Sequence, residues 1–324
     1  MGDKKPTVVA ATEFNADKDA EQLYEAFKGF GTNENIVTSI FAGRSLEQRQ
    51  SIQEAYKSKY NKDLVQEIRS EVSGNYLMAL EGLIEDPADF HAKHLQRIIC
   101  GVLPGCKDIP VLEVLSPLSS VERNVIASAY AELFKKTLAD DVEAKVSGPF
   151  KAAVLTLVGG NDVNQSLTSQ KVESDTNFLV SLKAEDWTPE NTTLMDFLLK
   201  NNPMALFAVI NSYKTTTNTD LLEVVKTQPK EIYREGFKVL VEAAQDHWMY
   251  FAKQLYQSMK GIGTNDSKLI YIIVFRCESD LGNIADTFQQ TFNCSLQSFI
   301  RDDTSGDYGN LLIALVGPEV AATN

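Results

Sequence analysis

The chain has 324 residues, 44% of them apolar, which is enough to bury a large core. Its formal net charge of −13 disfavours direct binding to nucleic acid or to an anionic membrane, so such contact needs a bridging positive charge. No apolar run approaches the roughly 20 residues that span a bilayer. Because the N-terminus lacks the apolar core of a signal peptide, the four scattered cysteines are expected to be reduced thiols in a cytoplasmic protein.

The first regular pattern follows a short N-terminal tail at residues 1–16. Apolar side chains then recur at the spacing of a helix, as at Ala20, Leu23 and Phe27. A turn with the sequence Gly-Phe-Gly-Thr-Asn follows at residues 29–33. Long alternating runs typical of β-strands are absent from the chain, and the pattern therefore predicts short helices joined by turns.

The turn at residues 29–33 has a second copy near the other end of the chain, as Gly-Ile-Gly-Thr-Asn at 261–265. An acid follows the second glycine of each copy at the same distance along the sequence, Glu71 in the first and Asp303 in the second. A glycine turn and a distant carboxylate, kept in the same register twice, are what a hard cation such as calcium needs. The two copies therefore indicate a cation site at each end of the chain.

The duplication extends beyond the turns, because apolar positions match over the whole length between each turn and its acid. Weaker copies of the same pattern occupy the middle of the chain. We predict an all-α fold of four repeats, each with about five helices, and we expect the four to pack together because one repeat has too small a core. The predicted repeats are 17–87, 88–162, 163–246 and 247–318, followed by a C-terminal tail at 319–324.

The glycine turns suit calcium because glycine lets a turn bring several backbone carbonyls to one point. Calcium accepts six to eight oxygen ligands, including carbonyls, so five protein oxygens leave positions for water or a phosphate oxygen. The predicted ligands are the carbonyls of Phe27, Gly29 and Gly31 with Glu71, and the carbonyls of Met259, Gly261 and Gly263 with Asp303. The alternative is that the glycines only end one helix and turn the chain into the next.

The two middle repeats depart from this pattern. In repeat 2 the turn at residues 101–106 is longer and contains proline, and Lys145 stands where the acid is expected. In repeat 3 Glu185 and Trp187 occupy the glycine positions, and Gln228 occupies the acid position. We therefore expect neither middle repeat to bind calcium in this way.

Three further residues are candidates for contact with lipid. Lys28 and Lys260 flank the two turns and suit lipid phosphates, although ordinary exposed lysines are an equal alternative. Trp187 suits a membrane interface, and a tryptophan that packs its own loop is the alternative. No arrangement of the three histidines and the scattered cysteines indicates a catalytic nucleophile and base, so we expect no enzymatic activity.

At these residues the chain resembles the annexin family, and the resemblance covers residues 15–318. It implies four helical repeats packed into a slightly curved disk, whose convex face carries calcium loops and docks on phosphatidylserine-rich membranes. The family's calcium ligands correspond to the eight residues named above and do not carry over to repeats 2 and 3. The resulting expectation is a peripheral membrane protein that binds acidic phospholipid when calcium rises. The alternative hypothesis is a helical scaffold that mainly binds proteins, with calcium secondary.

Overall fold

The computed structural model describes residues 3–29, 31–101, 106–160 and 167–319. Over these ranges the chain forms twenty α-helices, one short 3₁₀-helix and no β-strand, so the all-α prediction is confirmed. None of the helices in these ranges is long and apolar enough to cross a bilayer. Phe30 of the first turn, the 102–105 part of the repeat 2 turn and the end of the predicted C-terminal tail lie outside the described residues.

The α-helices come in four groups of five, as expected for four repeats. Repeat 1 contains α1 (Ala16–Ala26), α2 (Glu34–Ala42), α3 (Leu46–Tyr60), α4 (Leu64–Glu71) and α5 (Gly74–Ile84). Repeat 2 contains α6 (Pro87–Cys100), α7 (Asp108–Leu115), α8 (Ser120–Phe134), α9 (Leu138–Lys145) and α10 (Lys151–Val158). Repeat 3 contains α11 (Ser169–Ser181), the 3₁₀-helix (Ala184–Asp186), α12 (Thr192–Lys200), α13 (Pro203–Thr217), α14 (Leu221–Thr227) and α15 (Glu231–Gln245). Repeat 4 contains α16 (His247–Met259), α17 (Asp266–Arg276), α18 (Leu281–Phe292), α19 (Leu296–Asp303) and α20 (Gly306–Val316).

The third helix of every repeat ends in the same way. Asn61, Lys135, Asn218 and Asn293 follow α3, α8, α13 and α18, and each adopts a left-handed conformation with φ between 52° and 57°. These four are the non-glycine residues with positive φ in the described part of the chain. Such residues are uncommon in proteins, so their recurrence at one position shows that the repeat is structural as well as sequential.

The third and fourth helices of each repeat bury the same four apolar positions. They are spaced so that one side of each helix faces the core, which is how an amphipathic helix gains most of its stability. The buried residues are Ile52, Tyr56, Leu64 and Ile68 in repeat 1, Ile126, Tyr130, Leu138 and Val142 in repeat 2, Val209, Tyr213, Leu221 and Val225 in repeat 3, and Ile284, Phe288, Leu296 and Ile300 in repeat 4. The core pattern therefore survives in all four repeats.

The molecule divides into two compact units. Unit 1 comprises Met1–Pro87 and Phe251–Asn324, so it unites repeats 1 and 4 from opposite ends of the sequence. The buried side chain of Arg49 links the two repeats. Its Nη1 donates to the carbonyl oxygen of Leu83 over 2.6 Å and also to Glu278 Oε1 over 2.8 Å. Hydrogen bonds to a buried guanidinium are strong, so this contact holds the two repeats in register.

The N-terminal tail adds to unit 1 by lying against repeat 4. The hydroxyl of Thr7 donates to the carbonyl of Leu315 over 2.6 Å. The backbone N–H groups of Thr7 and Val8 both donate to the carbonyl of Cys277, over 2.8 and 3.0 Å. The tail therefore contributes backbone hydrogen bonds to a neighbouring repeat even though its described residues before α1 form no helix.

Unit 2 comprises Ala88–Tyr250 and unites repeats 2 and 3. The ring of Phe237 is fully buried in this unit, with Phe150 of repeat 2 edge-on at 5.3 Å and Trp187 of repeat 3 edge-on at 5.4 Å. Edge-to-face pairs at this distance are a favoured arrangement of aromatic rings. One aromatic cluster therefore joins the cores of the two middle repeats.

Candidate calcium sites

The first glycine turn connects α1 to α2 in unit 1. Gly29 and Gly31 adopt φ values of 109° and 90°, in the region that favours glycine. An added Cβ at either position would meet no heavy atom within 4 Å, so the requirement for glycine is conformational. The turn is closed by a hydrogen bond of 2.9 Å from Asn33 N to the carbonyl oxygen of Ala26.

The second turn, between α16 and α17, repeats this geometry closely. Gly261 and Gly263 adopt φ values of 111° and 83°, and Asn265 N donates to the carbonyl of Ser258 over 2.7 Å. Each glycine of the second turn thus has nearly the same φ as its counterpart in the first. The sequence copy is therefore also a copy in backbone conformation.

The structure brings each predicted acid to its turn. Glu71 is the last residue of α4, and Thr32 Oγ1 donates to its Oε2 over 3.3 Å. Asp303 is the last residue of α19, and Thr264 Oγ1 donates to its Oδ2 over 2.5 Å. The threonine that ends each Gly-x-Gly-Thr motif therefore connects the turn with a carboxylate 39 residues away.

The electrostatics of both places favour a cation. Each turn begins at the C-terminus of α1 or α16, where backbone carbonyls lack helical partners. Each acid stands at the C-terminus of α4 or α19, where the helix dipole disfavours a negative charge. A bound cation would relieve both penalties, and converging carbonyl and carboxylate oxygens are the donor set that calcium prefers. The residues present therefore fit calcium.

Phe27 and Met259 can offer an ion only their carbonyl oxygens. Their side chains are buried in the core, at 5% and 3% exposure. The described residues contain no cluster of three or more His, Cys, Asp and Glu side chains suited to a metal. Each predicted site has a single carboxylate.

Both flanking lysines are exposed beside an aromatic ring of the preceding helix. Lys28 Nζ lies 5.9 Å from the centre of the Tyr24 ring and 3.2 Å from Glu25 Oε1. Lys260 Nζ lies 5.2 Å from the centre of the Tyr256 ring. A cation held over an aromatic face has restricted freedom, so both ammonium groups stay close to the turns.

Ile262 is a feature of the second turn that the sequence argument did not single out. Its side chain is fully exposed at 109% relative accessibility, between Gly261 and Gly263. A large aliphatic side chain at the tip of a loop is poorly placed in water but well placed against a lipid surface. The signal in the sequence that could have identified Ile262 as a lipid contact is an apolar residue between the two glycines of the turn.

The predicted lipid contact of Trp187 does not agree with the structure. Its indole is 2% exposed and packs against Phe237 in the interior of unit 2. The alternative interpretation, a tryptophan that packs its own loop, describes its position. The sequence places Trp187 in a loop of repeat 3 but does not indicate the direction in which its side chain points.

Lys145 of repeat 2 stands at the end of α9, the position of Glu71 in α4 and Asp303 in α19. Its ammonium lies 2.8 Å from Asp141 Oδ1 and donates to Cys100 Sγ over 3.0 Å. The hydrogen bond with Asp141, followed by that with Cys100, raises the pKa of Lys145 above its usual value. A cation therefore replaces the carboxylate at this place in repeat 2.

A family model described as Annexin matches residues 18–83 and 250–315. Annexin A13 of Homo sapiens is 33% identical over 321 residues, covering 98% of this chain and 100% of the relative. A solved structure of chicken annexin V shares 30% identity with a TM-score of 0.87, covering 98% of this chain and 100% of that one. A calcium-bound structure of annexin (Sm)1 shares 28% identity with a TM-score of 0.84, covering 97% and 93%.

Proposed function

The chain belongs to the annexin family, whose members bind phospholipid membranes in a calcium-dependent way, and we propose that its own contact with membranes is made by the loops of repeats 1 and 4. The ion that this family binds is calcium. The observation that supports this assignment is the pair of hydrogen bonds that join Thr32 to Glu71 and Thr264 to Asp303. They place one carboxylate beside each glycine turn.

The proposed shell in repeat 1 consists of the carbonyls of Phe27, Gly29 and Gly31 with both oxygens of Glu71. Five oxygens fall short of the six to eight that calcium takes, so water or a lipid phosphate completes the shell. The shell in repeat 4 is equivalent and consists of the carbonyls of Met259, Gly261 and Gly263 with Asp303. Calcium affinity is then weak in solution and rises when lipid supplies the missing ligand.

Charge favours an acidic, phosphatidylserine-like membrane as the partner. The net charge of −13 opposes approach to an anionic surface, and two calcium ions supply positive charge at the point of contact. Lys28 and Lys260 add an ammonium beside each turn. Ile262 adds apolar surface to the repeat 4 turn and enters the boundary of the lipid.

A calcium-bridged contact with acidic lipid suits the cytoplasmic leaflet, because anionic lipids are concentrated there. All four cysteines are free thiols, which is usual in a reducing compartment. The proposed activity involves binding alone and no catalytic step.

Sedimentation with vesicles tests the proposal. Protein is centrifuged with phosphatidylserine–phosphatidylcholine vesicles in calcium or in chelator, and vesicles of phosphatidylcholine alone serve as the control. Pelleting that requires both calcium and phosphatidylserine supports the proposal. Equal pelleting in chelator, or none at millimolar calcium, contradicts it.

A further inference from the structure

Repeat 2 keeps part of the carbonyl arrangement that the calcium turns use. Ile99 and Gly101 occupy the positions equivalent to Phe27 and Gly29, at the end of α6 where the others lie at the end of α1. In the structure both of their carbonyl oxygens accept a hydrogen bond from one nitrogen, Lys107 Nζ, over 2.7 and 2.9 Å. The two oxygens therefore converge on a single point, as the ligands of a metal ion must.

The group at that point is a cation from the same repeat. Lys107 is the counterpart of Asn33, because it directly precedes α7 as Asn33 precedes α2. The side chains of Asn33 and of the equivalent Asn265 cap their helices by accepting a backbone N–H. The side chain of Lys107 makes no such cap and extends to the loop carbonyls instead.

A neighbouring residue makes this change possible. Asp108 is fully buried at the start of α7, and its Oδ1 accepts from Ile109 N over 3.0 Å. Its Oδ2 accepts from Phe150 N over 2.9 Å. Because Asp108 accepts a backbone N–H of this first turn, Lys107 is released from capping and is able to bind carbonyls.

An ammonium group suits these carbonyls for the reasons that calcium suits the other turns. Distances of 2.7–2.9 Å are only a few tenths of an ångström longer than the ~2.3–2.6 Å of calcium–oxygen bonds. The carbonyls lie at the C-terminus of α6, where the helix dipole favours a positive charge. A lysine has three N–H donors and one charge, so it needs fewer oxygens than calcium and no carboxylate.

The loss of the acid in repeat 2 agrees with this account. Calcium needs an anionic ligand at the end of the fourth helix, whereas a single ammonium bound by neutral carbonyls does not. Lys145 stands there and is directed to Asp141 and Cys100 rather than to Ile99 and Gly101. Besides its longer turn, repeat 2 differs from repeat 1 by a lysine in place of asparagine before the second helix and a lysine in place of the acid, and these two lysines therefore act together.

We propose that the ammonium group of Lys107 is the resident cation of repeat 2, bound by the carbonyls that correspond to calcium ligands, and that it excludes calcium from a latent site. The inference rests on the proposed ligand roles in repeats 1 and 4. The ammonium then occupies these two carbonyls at every calcium concentration, and opening the site requires removal of Lys107 together with an acid at position 145.

The test is made in a protein whose repeat 1 and 4 sites are disabled by Glu71→Gln and Asp303→Asn. Into this background we place Lys107→Asn with Lys145→Glu, so that these two positions hold the same residues as Asn33 and Glu71 of repeat 1. Melting temperature and calorimetric calcium binding are measured with and without millimolar calcium. We expect one calcium ion per chain and a calcium-dependent rise in melting temperature of about 2–4 °C.

A matched control replaces Lys107→Asn with Lys136→Asn, at an exposed lysine of the same repeat, and keeps Lys145→Glu. It has the same charge and the same restored acid but retains the ammonium of Lys107, so we expect no calcium binding. Absence of binding in the Lys107 variant, or equal binding in the Lys136 control, overturns the inference. Residual binding in the background itself instead contradicts the proposed roles of Glu71 and Asp303.

A second measurement covers the case in which the combined variant does not fold. Lys107→Met alone, in the otherwise unchanged protein, leaves two carbonyls without their donor. We expect its melting temperature in chelator to fall by about 2–4 °C, and Lys136→Met to leave it unchanged. Equal melting temperatures for the two variants overturn the inference.

Discussion

Unit 1 and unit 2 contain the same helical repeat twice each, yet their loops present different charges. The fourth helix of each repeat in unit 1 ends in an acid, Glu71 or Asp303, beside a glycine turn. In unit 2 the corresponding positions hold Lys145 and Gln228, and the ammonium of Lys107 lies on loop carbonyls. The helical core is nevertheless the same in all four repeats. Folding and cation binding therefore use separate residues and can be lost separately.

Removal of both acids of unit 1 should have the largest effect on calcium-dependent membrane binding. Glu71→Gln with Asp303→Asn takes the only charged ligand from each proposed site, so we expect calcium-dependent pelleting with acidic vesicles to be lost. The helical circular dichroism signal should be unchanged, because both residues lie at helix ends outside the core. As a control, Asp140→Asn with Glu143→Gln in unit 2 should leave pelleting intact. Loss of pelleting in that control would contradict the assignment to unit 1.

Trp187→Ala tests the packing of unit 2. Removal of a buried indole beside Phe237 should lower the free energy of unfolding by about 3–5 kcal/mol, measured by urea denaturation. Pelleting of the folded variant in calcium should equal that of the unchanged protein, since the indole faces the interior. A variant of normal stability that pellets poorly would restore Trp187 as a lipid contact.

The glycine turns provide the next largest effect. Gly31→Ala places a Cβ on a residue at φ 90°, and a side chain in this conformation costs roughly 1–2 kcal/mol. Because calcium binds the turn in this conformation, we expect calcium affinity to fall about tenfold. Gly159→Ala is the matched change in unit 2, at φ −70° with 3.4 Å to the nearest heavy atom. Calcium titration in the presence of acidic vesicles measures both. Equal affinities for the two variants would show that the left-handed conformation of the turn is not required.

Ile262→Ser should weaken membrane binding without affecting calcium coordination, because the changed atoms are the exposed side chain. We expect the calcium concentration that gives half-maximal pelleting to rise several-fold, because part of an aliphatic contact with lipid is lost. Val180→Ser changes an exposed aliphatic residue of unit 2 and serves as the control. An unchanged midpoint for Ile262→Ser would remove this residue from the contact.

The smallest effect on stability is expected at Asp141, the partner of the lysine that replaces an acid in repeat 2. The hydrogen bond from Lys145 holds the pKa of Asp141 below its ordinary value. A group with a lowered folded-state pKa stabilises the protein above its unfolded-state pKa of about 3.9, and this stability is lost as pH falls through the folded-state pKa. Asp141→Asn should therefore lower the urea midpoint slightly at pH 7, and the difference should shrink as pH falls below about 4. A difference that stays constant at lower pH would indicate another cause.

The sequence predicted the helical repeats well because helix formation follows local apolar spacing, as at Ile52 and Tyr56. The glycine turns and their acids were visible because the two copies share one register. The pairing of repeat 1 with repeat 4 was not predicted, since the contact of Arg49 with Glu278 depends on which surfaces meet across 229 residues. The contact of Lys107 with the loop carbonyls was likewise missed, and the burial of Trp187 was left open as one of two alternatives, because side-chain direction in a loop depends on tertiary contacts.

Calcium binding by unit 1 is tested most directly by the number of calcium ions bound per chain in the presence of phosphatidylserine vesicles, measured by calorimetry. We expect two ions for the unchanged protein, one for Glu71→Gln or Asp303→Asn alone, and none for the two together. Ions that remain bound when both acids of unit 1 are changed would contradict this expectation.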